Sequence, residues 1–150
     1  GLEVPLRGFG GEFVIEPPDE EDVAFVAGGI GITPLLAQIP ALDLKRMRLL
    51  WAVRADDFKL VLDTMDQFPG LMSSISLYLT GASAEDAEIW RNAADALQTA
   101  GVRFESRRIQ QADLDLVQVK TWYLCANKNL RTTLMGWLEG RRIVFEDFDY

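Results

Sequence analysis

The sequence predicts an α/β protein in which a doubly wound parallel sheet of about five strands lies between two layers of helices, a three-layer sandwich. Three observations lead to this fold class. Short, almost wholly apolar runs recur along the chain, as in strands that are buried on both faces. Segments with apolar residues at helical spacing separate these runs. Strand and helix alternate throughout, which makes neighbouring strands parallel.

The apolar runs define the predicted strands, the last of which is expected at an edge of the sheet. The first run, VAFVA, contains only apolar residues, as a central strand of a parallel sheet does. The run GVRFES is the weakest, because charged residues interrupt it. The predicted strands cover residues 23–27, 47–53, 74–80, 101–106, 121–126 and 141–147.

Four helices are predicted between the strands. The first, Thr33–Ile39, is short because Pro40 interrupts it. The second follows Asp56 as an N-cap, and the third follows Ser83. Glycines stop the third and fourth helices. The residues expected to face the core are Phe58, Leu62, Met65 and Phe68 in the second helix, Ile89, Ala93 and Leu97 in the third, and Leu130, Leu134, Trp137 and Leu138 in the fourth.

The charge of the chain narrows the classes of partner. The formal net charge is −8 and no long basic run occurs, which disfavours nucleic acid and anionic membrane surfaces as partners. No apolar run approaches the roughly 20 residues that span a bilayer, so we expect no membrane contact by this domain. A small anionic ligand remains compatible with an acidic protein, because backbone amides and a few local arginines can bind phosphate.

The chain has one cysteine, Cys125, and no histidine. A single cysteine excludes an internal disulfide and fits a reducing compartment, so a cytoplasmic or cytosol-facing location is expected. The lack of histidine excludes histidine-based catalytic triads and histidine-ligated zinc in this chain, and we predict no metal site. Any chemistry should therefore come from a cofactor or from a partner domain.

The stretch VAFVAGGIGITP contains the strongest candidate site. Gly28, Gly29 and Gly31 follow the first predicted strand, and Thr33 and Pro34 open the next helix. Glycines allow a phosphate to approach the backbone, and a helix N-terminus offers amides to an anion. The turn is thus either a pyrophosphate cradle or a tight turn without a ligand. Its place after the first strand, at the edge where such sheets bind ligands, favours the cradle.

The glycine spacing differs from the Rossmann G-x-G-x-x-G pattern. GGIGITPL instead resembles the pyridine-nucleotide domain of the ferredoxin–NADP reductase superfamily. Four further segments resemble that family and occur in the same order along the chain. LLWAVRADD is similar to its second strand and helix cap, and LYLTG to the end of the third strand in ferric reductases and NADPH oxidases. WYLCANKNLRTTLMGWL is similar to the turn before its last helix, and IVFEDF to the closing Glu-x-Phe of flavohaemoglobin-type reductases. The resemblance covers roughly residues 4 to 150.

The resemblance implies a ferredoxin reductase-like nucleotide-binding domain at residues 17–150. The segment VPLRGFGGEFVIE is similar to the last strand of the family's flavin-binding barrel, so residues 1–16 are expected to be a barrel remnant and linker. The implied partners are a nicotinamide dinucleotide, an upstream domain that holds FAD, and an electron acceptor that the sequence does not identify. The implied activity is hydride transfer from NAD(P)H to FAD, which this chain alone is not expected to perform.

The resemblance also assigns roles to individual residues. Cys125, Glu146 and Phe148 would lie beside the reacting rings. The alternatives are packing for Cys125 and, for Glu146 and Phe148, an edge strand with an exposed acid and a core aromatic residue. The residues that would bind the cofactor are Gly28, Gly29, Ile30, Gly31, Thr33, Pro34, Arg54, Thr80, Gly81, Cys125, Ala126 and Asn127.

One motif departs from the family pattern. The family usually has Cys-Gly-Pro where this chain has Cys125-Ala126-Asn127. Ala126 adds a Cβ near the expected cofactor, and Asn127 lacks the fixed φ of proline. The turn is therefore either built differently or binds its cofactor differently. A degenerate, non-catalytic domain used for protein interaction or regulation is the alternative function, and another α/β phosphate binder is a third.

The choice between NAD and NADP depends on the residues near the adenosine 2′-position. NADP-preferring relatives often carry Ser-Arg after the third strand, where this chain has Thr80 and Gly81. Arg54 ends the second predicted strand, and Arg107 and Arg108 follow the fourth, so an arginine from these places could reach a phosphate. Surface arginines without this role are the alternative, and NAD is slightly favoured.

Overall fold

A computed structural model of the chain describes residues 6–7, 22–39, 43–81 and 87–147. The predictions for Pro40, Ser83 and Phe148 lie outside these ranges, as do nearly all residues assigned to the barrel remnant. The described chain forms one parallel sheet with helices packed on both faces. This arrangement confirms the predicted doubly wound α/β fold.

The structure contains seven strands and five helices within the described residues. The strands are β1 (Leu6–Arg7), β2 (Val23–Gly28), β3 (Met47–Arg54), β4 (Ile75–Thr80), β5 (Arg103–Glu105), β6 (Thr121–Ala126) and β7 (Arg142–Asp147). The helices are α1 (Thr33–Leu36), α2 (Phe58–Gln67), α3 (Ala87–Thr99), α4 (Gln111–Asp115) and α5 (Lys128–Trp137). None of the helices in the described part of the chain is long and apolar enough to cross a membrane.

Every predicted strand is present, but the sheet is wider than the predicted five strands. The edge strand β7 joins it beside β6, and the two-residue β1 pairs in parallel with β7. Only the weak strand β5 is clearly shorter than predicted, since its run includes charged residues. The division into a barrel remnant and a nucleotide-binding domain stays a prediction.

The strand order places a change of direction at the middle of the sheet. The order is β1-β7-β6-β2-β3-β4-β5, with all neighbours parallel. From β2 the chain proceeds through β3 and β4 to β5, and then returns to place β6 on the other side of β2. Loops that leave neighbouring strands in opposite directions open a crevice at their carboxyl ends. That crevice is expected at the ends of β2 and β6.

Two layers of buried side chains hold the helices to the sheet. Phe25, Trp51 and Leu77 belong to the layer that also contains residues of α1, α2 and α3. Trp122 and Leu124 belong to the opposite layer, which contains residues of α4 and α5. Because every central strand contributes to both layers, its sequence is apolar at consecutive positions rather than at alternate ones.

Three helices differ from the predictions. The helix α1 ends at Leu36, before Pro40, so it is shorter than predicted. Asp56 lies in a 3-10 turn before α2 and does not cap it. Leu62, expected in the core, is 45% exposed, whereas Val61 is fully buried. The helix α4 was not predicted, because its five residues are too few to show a helical period.

Candidate functional site

The glycine turn leaves the sheet directly at the end of β2. A 3-10 turn, Gly29–Ile32, connects β2 to α1. Gly29 has a φ of +54°, in the left-handed region that favours glycine. The buried indole of Trp51, on the neighbouring strand β3, donates a hydrogen bond of 2.8 Å from its Nε1 to the Gly29 carbonyl oxygen. The turn is therefore held in place from the adjacent strand.

Gly28 is required by packing rather than by backbone conformation. Its φ of −116° and ψ of 121° are extended values open to any residue. A Cβ added at Gly28 would lie 3.0 Å from Leu130 Cδ2 and 3.2 Å from Ala126 Cβ. The missing side chain thus lets the end of β2 lie against the end of β6 and against α5.

The outer surface of the turn exposes mainly backbone. A Cβ added at Gly29 would meet nothing within 4 Å, so the space beside it is open. Ile30 is 56% exposed, and Thr33 is exposed with its Oγ1 donating to the Ile30 carbonyl oxygen at 2.8 Å. Gly31 is buried, and Pro34 is half-buried within α1. A ligand that approaches Gly29 would meet no side chain of that residue.

The motif Cys125-Ala126-Asn127 forms a regular strand-to-helix turn. Asn127 is the N-cap of α5, where its Oδ1 accepts a hydrogen bond of 3.0 Å from the Leu130 amide. Its φ of −62° is the value that proline would impose. Ala126 is fully buried with its methyl group directed at Gly28. Cys125 is fully buried in the core.

The other predicted site residues lie at the same carboxyl edge of the sheet. Arg54 and Thr80 end β3 and β4 and stand opposite each other in register. Gly81 follows with a φ of +74°. Glu146, in β7, is paired with Cys125 in β6. The fold therefore brings the candidate residues of five strands to one edge, and only Phe148 lies outside the described residues.

A charged cluster that the sequence analysis missed lies beside β4 and β5. Arg107 donates hydrogen bonds of 2.7 and 2.8 Å to the two carboxylate oxygens of Asp113. The Gln110 amide donates a third, of 2.7 Å, to Asp113 Oδ2 at the start of α4. The guanidinium of Arg107 lies 5.5 Å from the ring centroid of Tyr78. The sequence does contain one signal, since Gln110 and Asp113 have the spacing of a capping box.

The electrostatics of this cluster keep its charges paired at neutral pH. The hydrogen bonds from Arg107 hold the pKa of Asp113 below its usual value, against the opposing effect of burial. The same bond raises the pKa of Arg107. Burial, followed by the charge of Asp113, raises the pKa of Tyr78 to about 12. Asp113 and Arg107 are therefore both ionised, while the Tyr78 phenol is neutral.

Comparison with known proteins adds no relative to this picture. No protein-family model matches the chain, and no curated protein matches it. The resemblance to the ferredoxin–NADP reductase superfamily therefore rests on the sequence motifs. No group of three or more cysteine, aspartate or glutamate residues in the described ranges is placed to hold a metal ion.

Proposed function

We propose that this chain is the NAD(P)H-binding part of a flavin-dependent oxidoreductase, in which hydride passes to FAD held by a preceding domain and electrons then pass to a further acceptor. One observation carries the proposal. The glycine turn lies at the carboxyl end of β2 beside β6, where the strand order reverses. In open α/β sheets this is the place where ligands bind.

The residues at this edge fit a dinucleotide. Gly29 offers open backbone next to the first turn of a helix, which suits a pyrophosphate group. Thr33 presents a hydroxyl group on the same turn. Arg54 supplies a positive charge one strand away, and Thr80 stands beside it. The site therefore combines a cradle without side chains, a hydroxyl group and a cation.

The order of the strands suggests how the two halves of the cofactor are held. Arg54 and Thr80 would contact the adenosine half on one side of the glycine turn. Ala126 and Asn127 border the crevice on the other side, where the nicotinamide half would lie. The bound dinucleotide supplies the hydride. This chain would orient its ring and exclude water, tasks that need no acid–base residue.

The second candidate function is a non-catalytic domain of the same fold, used for protein interaction or regulation. The specific observation in its favour is Cys125, which is fully buried in the core rather than exposed at the crevice. A buried thiol contributes packing and does not contact a nicotinamide ring. On this account neither dinucleotide would bind.

The test compares two glycines with the same backbone constraint. Gly29 and Gly140 both have positive φ values, +54° and +83°, and an added Cβ would meet nothing within 4 Å at either. Gly29→Ala and Gly140→Ala should therefore cost a similar roughly 1–2 kcal/mol of stability. Only Gly29 lies in the proposed cradle, since Gly140 follows α5 near the amino end of β7.

Calorimetric titration with NADH gives the readout. We expect Gly29→Ala to raise the dissociation constant at least about tenfold, because the new methyl group would occupy space that the pyrophosphate needs. Gly140→Ala should stay within about twofold of wild type. Equal effects of the two substitutions would contradict the cradle. Failure of the wild-type chain to bind either NADH or NADPH would favour the second candidate function.

A further inference from the structure

We infer that the ion pair between Arg107 and Asp113 makes this site select NAD over NADP, because it withdraws Arg107 from the adenosine 2′-phosphate. The inference rests on the proposed function. It names Asp113 as a positioning residue, which acts through Arg107 and does not itself touch the cofactor.

Arg107 lies beside the place proposed for the adenosine ribose. Tyr78 and Glu105 are paired in register. Thr80 lies two residues after Tyr78 in β4, and Arg107 lies two residues after Glu105, in the bend that follows β5. Side chains two apart in a strand share a face, so Thr80 points to the same side of the sheet as Tyr78. Arg107 lies over the Tyr78 ring on that side. A phosphate held near Thr80 would thus be near the Arg107 side chain.

Arg107 uses three of its five guanidinium N–H groups in that geometry. Nη1 and Nη2 bind the two oxygens of Asp113, and Nη1 also donates to the Arg108 carbonyl oxygen at 3.0 Å. Nε lies 3.9 Å from Glu105 Oε2. A bidentate arginine–carboxylate pair uses the same fork that would bind a phosphate. A 2′-phosphate could therefore bind this Nη1–Nη2 fork only by breaking the pair with Asp113, and the Nε side of the guanidinium faces the carboxylate of Glu105.

The positive charges around Arg107 are balanced by neighbouring carboxylates, so no net positive charge is left to attract an anion. Arg103 contacts Glu105 at 4.0 Å, so two arginines face two carboxylates. Removal of the Asp113 charge would leave Arg107 with unused donors and the cluster with a net positive charge. Such a cluster would attract a 2′-phosphate and would do little for the 2′-hydroxyl group of NAD.

Arg54 also lies beside Thr80, and its position predicts a different role. It ends β3, the strand between the glycine turn on β2 and Thr80 on β4. A charge in this place lies nearer the pyrophosphate, which both dinucleotides contain. Arg54→Gln should therefore weaken NADH and NADPH binding to a similar extent and leave their ratio unchanged.

The experiment measures the dissociation constants of NADH and NADPH for four proteins by calorimetry. The wild-type chain should bind NADH more tightly than NADPH. Asp113→Asn keeps the side-chain shape and an oxygen for the Gln110 amide, and should lower the NADPH-to-NADH ratio of dissociation constants about tenfold. Asp115→Asn removes an equal charge from an exposed position of the same helix and should leave the ratio unchanged. Arg54→Gln is the fourth protein.

Each outcome decides the inference. The inference is overturned if Asp113→Asn does not change the ratio of dissociation constants, or if Asp115→Asn changes it equally. In either case, binding of NADH by the wild-type chain would still support the proposed function. A wild-type preference for NADPH also overturns it. Binding of neither dinucleotide by the wild-type chain contradicts the proposed function and the inference together.

A second variant covers the case in which Asp113→Asn does not fold, as judged by circular dichroism. Arg107→Gln with Asp113→Asn replaces the ion pair by two neutral side chains. Since Arg107 is already withdrawn in the wild type, the double variant should keep the wild-type ratio within about twofold. A selective tenfold loss of NADPH affinity would show that Arg107 binds the 2′-phosphate and would overturn the inference.

Discussion

Neighbouring glycines of the turn are required for different physical reasons. Gly29 has a left-handed φ of +54°, and the space beside it is open. Gly28 has ordinary extended backbone but lies against Leu130 and Ala126. A substitution at Gly29 should therefore affect mainly what approaches the turn from outside. A substitution at Gly28 should affect the folded state.

Gly28→Ala should lower the free energy of unfolding by about 1–3 kcal/mol, because the new methyl group overpacks the junction of β2, β6 and α5. Leu130 Cδ2, at 3.0 Å, can rotate away, but Ala126 Cβ, at 3.2 Å, is fixed to a buried strand. Ala126→Gly should therefore relieve part of the cost. Urea unfolding of both single variants and the double variant measures this coupling, expected at about 1 kcal/mol.

If the unfolding free energies of the two substitutions were strictly additive, the methyl group of Ala126 would not be what makes a side chain at position 28 costly. Gly136→Ala provides a control, since a Cβ there would meet nothing within 4 Å and the residue lies within α5. It should stabilise the protein slightly, by roughly 0.5–1 kcal/mol, as glycine is a poor helix former.

Single residues of the site could be predicted only where the signal is local. The glycines, Thr33 and Asn127 were identified by local motifs, and the structure places all of them at the carboxyl edge of the sheet. The bond from Trp51 to Gly29 joins residues 22 positions apart and depends on strand order. The pairing of Arg107 with Asp113 depends on a bend after β5. Neither contact has a periodic signature in the sequence.

At the level of elements, the strands were easier to predict than the helices. A strand buried on both faces is an uninterrupted apolar run, and β2, β3 and β6 are such runs with few exceptions. A helix is identified by its period, which a four- or five-residue helix such as α1 or α4 cannot display. In α2 the sequence has apolar residues at adjacent positions, so Leu62 was assigned to the buried face in place of Val61, whereas Phe58 and Met65 lie in the core as predicted.

The structure defines which face of α2 is buried, and this assignment can be tested by substitution. Val61 is fully buried against the sheet, whereas Leu62 is 45% exposed. Val61→Ala should lower the free energy of unfolding by about 2 kcal/mol through lost burial and a small cavity. Leu62→Ala removes a larger side chain yet should cost under about 1 kcal/mol, because much of that side chain already contacts water. Urea unfolding of both variants tests the order, and a larger cost for Leu62→Ala would contradict the described phase.

At the scale of the whole described sheet, the candidate site residues share one edge. The glycine turn, the capped turn of Asn127, and the ends of β3 and β4 all lie at the carboxyl ends of the strands. The alternation of strand and helix predicted this edge before any contact was known. The strand order could not be derived from the apolar runs, because they do not show on which side of β2 the later strand β6 pairs. That choice decides that a crevice is expected between the ends of β2 and β6.

The most direct test of the account is to locate bound NADH through the indole N–H signals of two tryptophans in a nitrogen–proton correlation spectrum. The Trp51 indole donates to the Gly29 carbonyl oxygen, so cofactor binding at the turn should shift its signal. Trp122 is buried near the amino end of β6, on the other side of the sheet, and provides an internal control. The account predicts that saturating NADH moves the Trp51 signal and leaves that of Trp122 in place. An unchanged Trp51 signal, or a shift of Trp122 alone, would contradict the proposal that this edge binds the dinucleotide.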